Sequence, residues 1–425
     1  MPTSTRVSLA RPLGTTNNNK DDDDDDGNET TTVSTTRTDV TPACFLRSLE
    51  APCAYTAMRA TAERNGGLGT ATPKKSIVVL LRADRMETHA KRLFASLSEE
   101  KRVAFGDDWR AFKDALEEVT KRLSTALEEE EEEEEKRSGN YMVTIAIEDD
   151  RDGTRMNVHA LLTPLQREAN EDRERRTSGG REEKGEDASP PPPPPLRYAL
   201  LRGAPRERPH SKHTDWVKKR EGLEIERNEW NAREYVGDPE EKKQKRKKTF
   251  VECVLSKRAG SSPREEEEDF LLCEGLTTNV FVLKRDARSS GEGLILQTAP
   301  DSDVLLGVAR RAILDAFPSK SCDDDEKDDD KIRLSLTHPR WSERSAWIAL
   351  FTVNCVVGAK IYHGIVNSYT GEELNFPLLP KKGEGGELAS LFRDAFSSSS
   401  PRGGGGGGGR GGAATAKNFP FDLFI

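Results

Sequence analysis

The fold of this chain is decided by the segment Cys273-Glu274-Gly275-Leu276-Thr277-Thr278-Asn279-Val280-Phe281-Val282, where a carboxylate, a glycine and an asparagine lead directly into an apolar strand. The glycine favours a tight turn, and the apolar run after Asn279 predicts a buried strand. A carboxylate set between two apolar runs is costly to bury without a partner. We therefore expect Glu274 to face a bound group.

A second segment downstream, Leu305 to Leu314, has Gly307 followed by Val308, Ala309 and an amphipathic pattern. This order predicts a glycine turn that opens a helix. The first backbone N–H groups of a helix lack partners within it, so they can bind an anion. The sequence therefore predicts an anion site at the amides of Val308 and Ala309.

Hydrophobic periodicity predicts two α/β domains, over 44–165 and 197–396. The first has a strand, two helices and a strand pair, over Ser76–Leu81, His89–Leu97, Trp109–Leu127, Tyr141–Ile147 and Met156–Leu162. The second has six strands and one helix, over Tyr198–Leu201, Phe250–Leu255, Phe270–Cys273, Val280–Leu283, Leu294–Gln297, Trp347–Val357 and 308–317.

Much of the remaining chain is of low complexity. Hydrophobic residues make up 34% and charged residues 33%, so less of the chain should fold than its 425 residues allow. Acidic, proline-rich and glycine-rich tracts cannot bury a core. We expect a disordered tail over 1–43, a Pro-rich linker over 166–196, insertions near 236–248, 257–269 and 320–331, and a Gly-rich tail over 397–425.

The composition also excludes several classes of protein. A net charge of -9 disfavours nucleic acid as the principal partner, and no apolar run is long enough to span a membrane. The six cysteines show no C-x-x-C pairing, which favours reduced thiols and no metal site. We expect a cytoplasmic protein. Residues 1–20 are basic and faintly resemble an organelle transit peptide, but the Asp21–Asp26 run weighs against that alternative.

Taken with Thr88–Ser96 and His210–Arg220, the two opening segments resemble the class IV aminotransferases, a pyridoxal-phosphate family that includes D-amino-acid and branched-chain aminotransferases and aminodeoxychorismate lyase. The family pattern is Glu-Gly-x-x-x-Asn-x-Phe followed by a Gly-Ile-Thr-Arg helix start. The motif Lys-His-x-Asp-Trp-Val, which begins at Lys212, resembles a plant and fungal branch of this family. The resemblance covers about residues 50 to 375. It implies fold type IV, in which two α/β domains hold the cofactor between them.

The resemblance also implies roles for individual residues. Lys212 would be the Schiff-base lysine, Glu274 the partner of the pyridine nitrogen, and Arg92 a phosphate ligand. Each residue alone has a simpler explanation, since most of the 66 basic residues are solvated. The assignment of these roles therefore rests on the order of Arg92, Lys212, Glu274 and Gly307 along the chain. The other implied positions are Asn279, Gly307, Val308, Ala309, Asn354 and Cys355 for the cofactor, and Tyr55 and Arg59 on the substrate side.

The chain departs from the family pattern at two positions. Ala309 replaces the usual threonine, and Cys355 stands where a hydroxyl residue is expected. A missing hydrogen bond costs about 0.5–1.5 kcal/mol, and a thiol is a poorer donor than a hydroxyl. Both changes are expected to weaken the hold on the cofactor phosphate.

The resemblance implies an aminotransferase that moves an amino group from an amino acid to a 2-oxo acid, and a homodimer. Two alternatives stay open: a lyase of the aminodeoxychorismate type, and a non-catalytic binding module. The second is favoured by Ala309, Cys355 and the long insertions. The sequence leaves open the amino donor and its chirality.

Overall fold

The computed structural model describes residues 4–12, 32–38, 40–49, 53–65, 76–80, 83–97, 99–104, 139–149, 155–165, 195–233, 248–260, 269–286, 293–316 and 332–376, with scattered positions in 109–125. The chain divides into two units. Unit 1 is Met1–Pro193 with Ser211–Lys219, and unit 2 is Pro194–His210 with Arg220–Ile425. Both contain helices and sheet, so the predicted α/β class is confirmed.

Unit 1 is built on a six-stranded antiparallel sheet of order β2-β1-β6-β5-β3-β4. The strands are β1 (Ser4–Pro12), β2 (Thr32–Thr38), β3 (Ala54–Asn65), β4 (Ser76–Leu80), β5 (Gly139–Asp149) and β6 (Arg155–Pro164), and the helices are α1 (Pro42–Ser48), α2 (Ala83–Ala95) and α3 (Glu99–Ala104). Among the residues that the structure describes, helices α1 to α3 accompany the sheet, together with helical positions in 109–125.

Adjacent residues of β3 contact different helices. Tyr55 packs in an apolar cluster with Phe45 of α1, whereas the Thr56 hydroxyl hydrogen-bonds to Nδ1 of His89 on α2 at 2.7 Å. Successive side chains of a strand point to opposite faces, so α1 and α2 cover different faces of the sheet. The sheet is therefore buried on both sides, as the full burial of Val143 and Ala146 on β5 shows.

The expected tail over 1–43 is wrong for two stretches, because β1 and β2 pair with each other and β1 pairs with β6. Both strands are rich in serine, threonine and valine. Side chains branched at Cβ suit extended backbone, and β6 offers β1 a full row of backbone partners. The polar composition concealed this strand tendency.

Unit 2 contains a ten-stranded mixed sheet of order β12-β11-β10-β9-β8-β7-β15-β16, with β13 beside β10 and β14 beside β13. β7 runs parallel to β8 and β15, and β11 runs parallel to β12. The strands are β7 (Leu196–Leu201), β8 (Lys248–Arg258), β9 (Phe270–Gly275), β10 (Asn279–Arg285), β11 (Leu294–Gln297), β12 (Ile332–Ser335), β13 (Trp347–Asn354), β14 (Gly358–Ile361), β15 (Gly364–Asn367) and β16 (Glu373–Asn375).

Helix α5 (Val308–Ala316) covers one face of this sheet. Its Ala309 and Ile313 belong to a buried cluster with Phe281 of β10 and Phe351 of β13. These two aromatic residues are cross-strand partners, and their rings stack with centroids 5.3 Å apart. Stacked pairs add about 0.5–1.5 kcal/mol beyond their buried area. Helix α4 (Thr214–Arg233) contributes its first residues to unit 1 and the rest to unit 2.

Most predicted elements are confirmed, with longer bounds for β7, β8 and β10. Every described position in 109–125 is helical. The predicted strand Trp347–Val357 ends instead at Asn354, where a turn begins. The second domain was expected to run unbroken from 197, but Ser211–Lys219 belongs to unit 1. The glycine-rich tail, most of the proline-rich linker and most of the three insertions lie outside the described residues.

Within the described ranges, no helix has both the length and the apolarity that crossing a bilayer requires. None of the described cysteines, at positions 44, 53, 253, 273 and 355, forms a disulfide bond.

Candidate functional site

Glu274, at the end of β9, is held in a buried ion pair. Arg206, in the loop after β7, donates from Nε to Oε1 at 2.6 Å and from Nη2 to Oε2. The side chains are 6% and 1% exposed. The backbone N–H of Leu305 also donates to Oε2, at 3.1 Å. The carboxylate is therefore fixed by three donors, and its charge is balanced inside the protein.

Asn279 lies directly opposite Glu274 across the turn that joins β9 to β10. Its Nδ2 donates to the carbonyl of Leu305 at 2.7 Å. The same residue, Leu305, therefore gives its N–H to Glu274 and its carbonyl to Asn279. The two polar residues of the opening segment together position the loop that leads into α5.

Gly307 is required where this loop approaches Asn279. A Cβ atom added at position 307 would overlap Asn279 Oδ1. The spacing of Glu274, Asn279 and Gly307 thus has a structural basis that does not depend on any ligand.

We expect the substitution Gly307→Ala to lower the free energy of unfolding by about 1–3 kcal/mol, because the added methyl group must displace Asn279 from Leu305. Urea denaturation measures this change. Gly222→Ala is the matched control, because Gly222 lies inside helix α4 and a Cβ added there meets nothing within 4 Å. This substitution should raise the free energy of unfolding by about 0.5–1 kcal/mol. Equal effects of the two substitutions would contradict the close approach.

A second buried carboxylate, Glu252 on β8, closes the same turn from the other side. Its Oε1 accepts from the N–H groups of Cys253 at 3.1 Å and Leu276 at 3.2 Å, and its Oε2 accepts from the Thr278 hydroxyl at 2.9 Å. A Cβ at Gly275 would overlap Thr278 Oγ1. Burial raises the pKa of Glu252, and the bond from Thr278 opposes that shift.

The raised pKa of Glu252 predicts a pH-dependent effect of Glu252→Gln. Ionisation costs the folded state more than the unfolded state, so this residue's penalty is absent below its unfolded pKa and grows as pH rises towards its folded pKa. The variant should therefore gain stability relative to the parent as pH rises above about 4, where a glutamate side chain ordinarily ionises. Urea denaturation across that range measures the gain, with Glu229→Gln, more than half exposed, as control. A difference that is constant with pH would contradict it.

The start of helix α5 presents backbone rather than side-chain donors. Val308 and Ala309 are its first residues, so their N–H groups have no carbonyl one turn earlier in the helix. The Ala309 methyl packs in the apolar cluster with Phe281 and Phe351. Arg310 is 2% exposed and donates to Asp301 Oδ1 at 2.5 Å and to the Ala299 carbonyl at 2.8 Å. It fastens the preceding loop to the helix.

Asn354 and Cys355 lie in the turn between β13 and β14. Asn354 Oδ1 accepts from the N–H groups of Val356 at 3.0 Å and Val357 at 2.7 Å, which shapes the turn. Cys355 is half-buried. Asn354 also lines a cavity of about 140 Å³ together with Thr277, Thr278 and Glu252.

Lys212 and Tyr55 are brought together in unit 1. The carbonyl of Lys212 accepts from the Tyr55 N–H at 2.9 Å, and the Lys212 ammonium lies 5.8 Å from the centroid of the Tyr55 ring. The next residue, His213, forms an antiparallel bridge with Ala54. The lysine therefore sits on a segment that pairs with the start of β3, half-buried against an aromatic ring.

Arg92 lies in the last turn of α2, one helical turn after the buried His89 that hydrogen-bonds to Thr56. This bond explains the histidine in the His-x-x-Arg-Leu segment, since it fastens α2 to β3. Arg59 lies on β3, opposite Met142, but its side chain lies outside the described part of the structure.

Sequence reasoning missed two residues of this region, Arg206 and Glu252. Arg206 lies in the polar stretch Pro205-Arg206-Glu207-Arg208-Pro209, which is typical of an exposed loop. No local pattern indicates its partner, 68 positions away. Glu252 gives a better signal, because it interrupts the apolar strand 250–255. A lone carboxylate there indicates a buried, hydrogen-bonded acid.

No protein-family model and no curated protein matches this chain. Among solved structures, it is similar to a hypothetical aminotransferase from Mycobacterium tuberculosis in its PLP-bound form, at 12% identity and a TM-score of 0.42 over 92% of this chain and 99% of that one. It is also similar to a fold IV transaminase from Curtobacterium pusillum, at 12% identity and a TM-score of 0.46 over 93% and 98%. A branched-chain aminotransferase from Thermoproteus uzoniensis with norvaline matches at 15% identity and a TM-score of 0.40 over 80% and 84%.

Proposed function

We propose that this protein is a pyridoxal-phosphate-dependent aminotransferase that moves an amino group from an amino acid to a 2-oxo acid. One observation carries the proposal: Glu274 is a buried carboxylate, oriented by Arg206 and by the loop that opens helix α5. Such a costly arrangement is typical of a residue with a chemical task.

The residues of unit 2 fit this cofactor. An ionised carboxylate accepts about four hydrogen bonds, and within the described part of the chain Glu274 receives three, from Arg206 Nε, Arg206 Nη2 and Leu305 N. One acceptor position on Oε1 is left for a pyridinium N–H. Along the same loop, the amides of Val308 and Ala309 open a helix whose positive end suits a phosphate.

Bound pyridoxal phosphate would supply an electron sink for negative charge that develops at the substrate α-carbon. Glu274 would keep the ring nitrogen protonated, which strengthens that sink. Arg206 would hold the carboxylate in one orientation. Lys212 would hold the cofactor covalently and, once displaced by substrate, would take the proton from the substrate α-carbon as a general base.

The other assigned residues would bind and orient the cofactor and the substrate. Arg92, Gly307 and the amides of Val308 and Ala309 would hold the phosphate. Asn354 and Cys355 would shape the turn that contacts it. Since the Ala309 methyl lies in the core, that position can offer its N–H alone. Tyr55, against Lys212, and Arg59 would line the substrate side.

Borohydride reduction of the protein loaded with pyridoxal phosphate tests the proposal. A pyridoxyl mass increase should appear on the peptide that contains Lys212, and it should be absent from Lys212→Ala. Lys218→Ala is the matched control, because Lys218 is exposed in the first turns of α4. Labelling that is unchanged in Lys212→Ala, or absent from the parent, would reject the assignment and favour a non-catalytic binding module.

By the same resemblance we propose that the protein is a homodimer. Size-exclusion chromatography with light scattering measures the mass directly. A mass near 47.2 kDa at all concentrations would show a monomer instead.

A further inference from the structure

The face of β10, β11 and β12 that points away from helix α5 borders a groove. Leu296 of β11 lies in the apolar cluster under helix α5, and Leu294 and Leu334 pack against that cluster. The residues that alternate with them, such as Ile295, Gln297 and Arg333, face the other way and line a groove of about 850 Å³. The segment around 336–346 lines the groove as well. This size matches pockets that hold small molecules.

The floor of this groove contains an unsatisfied polar atom. Gln297 is 3% exposed, and its Nε2 donates to Thr337 Oγ1 at 2.8 Å and to the His338 carbonyl at 3.1 Å. Its Oε1 accepts no hydrogen bond from the described residues. Rotating the amide would not help, because the bond to the His338 carbonyl, which can only accept, needs the NH₂ group. A buried acceptor without a donor costs about 1–3 kcal/mol, which a ligand N–H or O–H would recover.

The lining is rich in positive charge. Four cationic side chains face two acidic ones: Lys284, Arg285, Arg333 and Arg340 against Asp286 and Glu343. His338 also lines the groove, but its Nε2 is bonded to Asp303 at 2.6 Å. Lys284 pairs with Glu343 at 2.6 Å and Arg333 with Asp286 at 3.2 Å.

The positive charges of two arginines are less fully neutralised by acidic side chains of the groove. Arg340 is 3.5 Å from Asp269, which does not line the groove. Within the described ranges, Arg285 has no acidic partner. The Arg333 side chain is 56% exposed and is held by Asp286 through a contact of 3.2 Å, so a ligand anion can approach its exposed side. The groove consequently offers an excess of positive charge on a protein of net charge -9.

We propose that this groove binds a small molecule that carries two or more carboxylate or phosphate groups and one hydrogen-bond donor. The anionic groups would bind Arg285, Arg333 and Arg340, and the donor would bind Gln297 Oε1. None of these residues is assigned to the amino-transfer chemistry, so the site is independent of the proposed function.

Isothermal titration of the full chain tests this site with two pairs of probes. Citrate has a hydroxyl donor, and propane-1,2,3-tricarboxylate lacks it. ATP has amine and hydroxyl donors, and inorganic triphosphate has almost none. We expect the donor-bearing member of one pair to bind about tenfold more tightly than its partner, which is worth about 1.4 kcal/mol. Which pair binds identifies the ligand class as carboxylate or phosphate.

The double variant Arg285→Gln/Arg333→Gln should weaken that binding at least about tenfold, since charge-assisted bonds are lost. The matched control is Arg233→Gln/Arg311→Gln, which removes the same charge from side chains that are 70% and 71% exposed on α4 and α5. Equal losses in both double variants would show non-specific attraction and overturn the proposal. So would an absence of binding by all four probes, or equal affinity within each pair.

Discussion

Replacing Arg206 by methionine is expected to lower the free energy of unfolding by about 3–5 kcal/mol, because it leaves the Glu274 carboxylate buried without its counter-charge. The Leu305 N–H alone cannot compensate a full charge. Urea denaturation at neutral pH measures the loss. This is the largest stability effect that we expect from a single substitution in unit 2.

A nearby pair supplies the matched control. Arg202 donates from Nε to Glu226 at 2.6 Å, but both side chains are about one-third exposed. Arg202→Met should therefore cost only about 0–1 kcal/mol. The double variant Arg206→Met/Glu274→Met should be more stable than Arg206→Met alone, since no uncompensated charge remains. Strictly additive losses would contradict the buried pair.

Replacing Lys212 by alanine is expected to reduce amino transfer about 10²–10⁴-fold if this residue is the general base. The measurement is the acceptor-dependent formation of a new amino acid from a panel of donors and 2-oxo acids. Overall folding should be retained, because the contact with β3 runs through the Lys212 backbone carbonyl, which alanine keeps.

Two further variants make this test specific. Lys218→Ala should retain the parent rate, because Lys218 is exposed. Lys212→Arg keeps the positive charge beside Tyr55 but cannot act as a base at neutral pH, so it should be as inactive as Lys212→Ala. An active arginine variant would show that position 212 serves only as a charge.

Local pattern predicted the elements around the candidate site well. The run from Cys273 to Val282 forms two strands and a tight turn, and helix α5 begins after Gly307. In these segments burial follows the alternation of apolar residues, which a sequence displays directly. The burial of Glu274 was also predicted, from its apolar neighbours.

Long-range partners were not predictable. Arg206 is brought to Glu274 only because β7 and β9 flank β8 in one sheet. Local periodicity does not predict the order of strands in a sheet. The short strands β14, β15 and β16 were missed because each depends on a neighbouring strand more than on its own composition. The hydrogen bonds of Asn279 likewise appear only once Leu305 is brought near.

The division of the chain also limits how it can be dissected. The segment Ser211–Lys219 belongs to unit 1, although it follows unit 2 residues 194–210. Its Thr214 N–H donates to the Cys53 carbonyl at 3.0 Å, and Thr214 Oγ1 accepts from the Cys53 N–H at 3.0 Å. A recombinant fragment that stops at Pro193 would lack the segment Ser211–Lys219 and its hydrogen bonds to Cys53. Isolated halves are therefore poor candidates for expression, and a fragment of unit 1 should include α4.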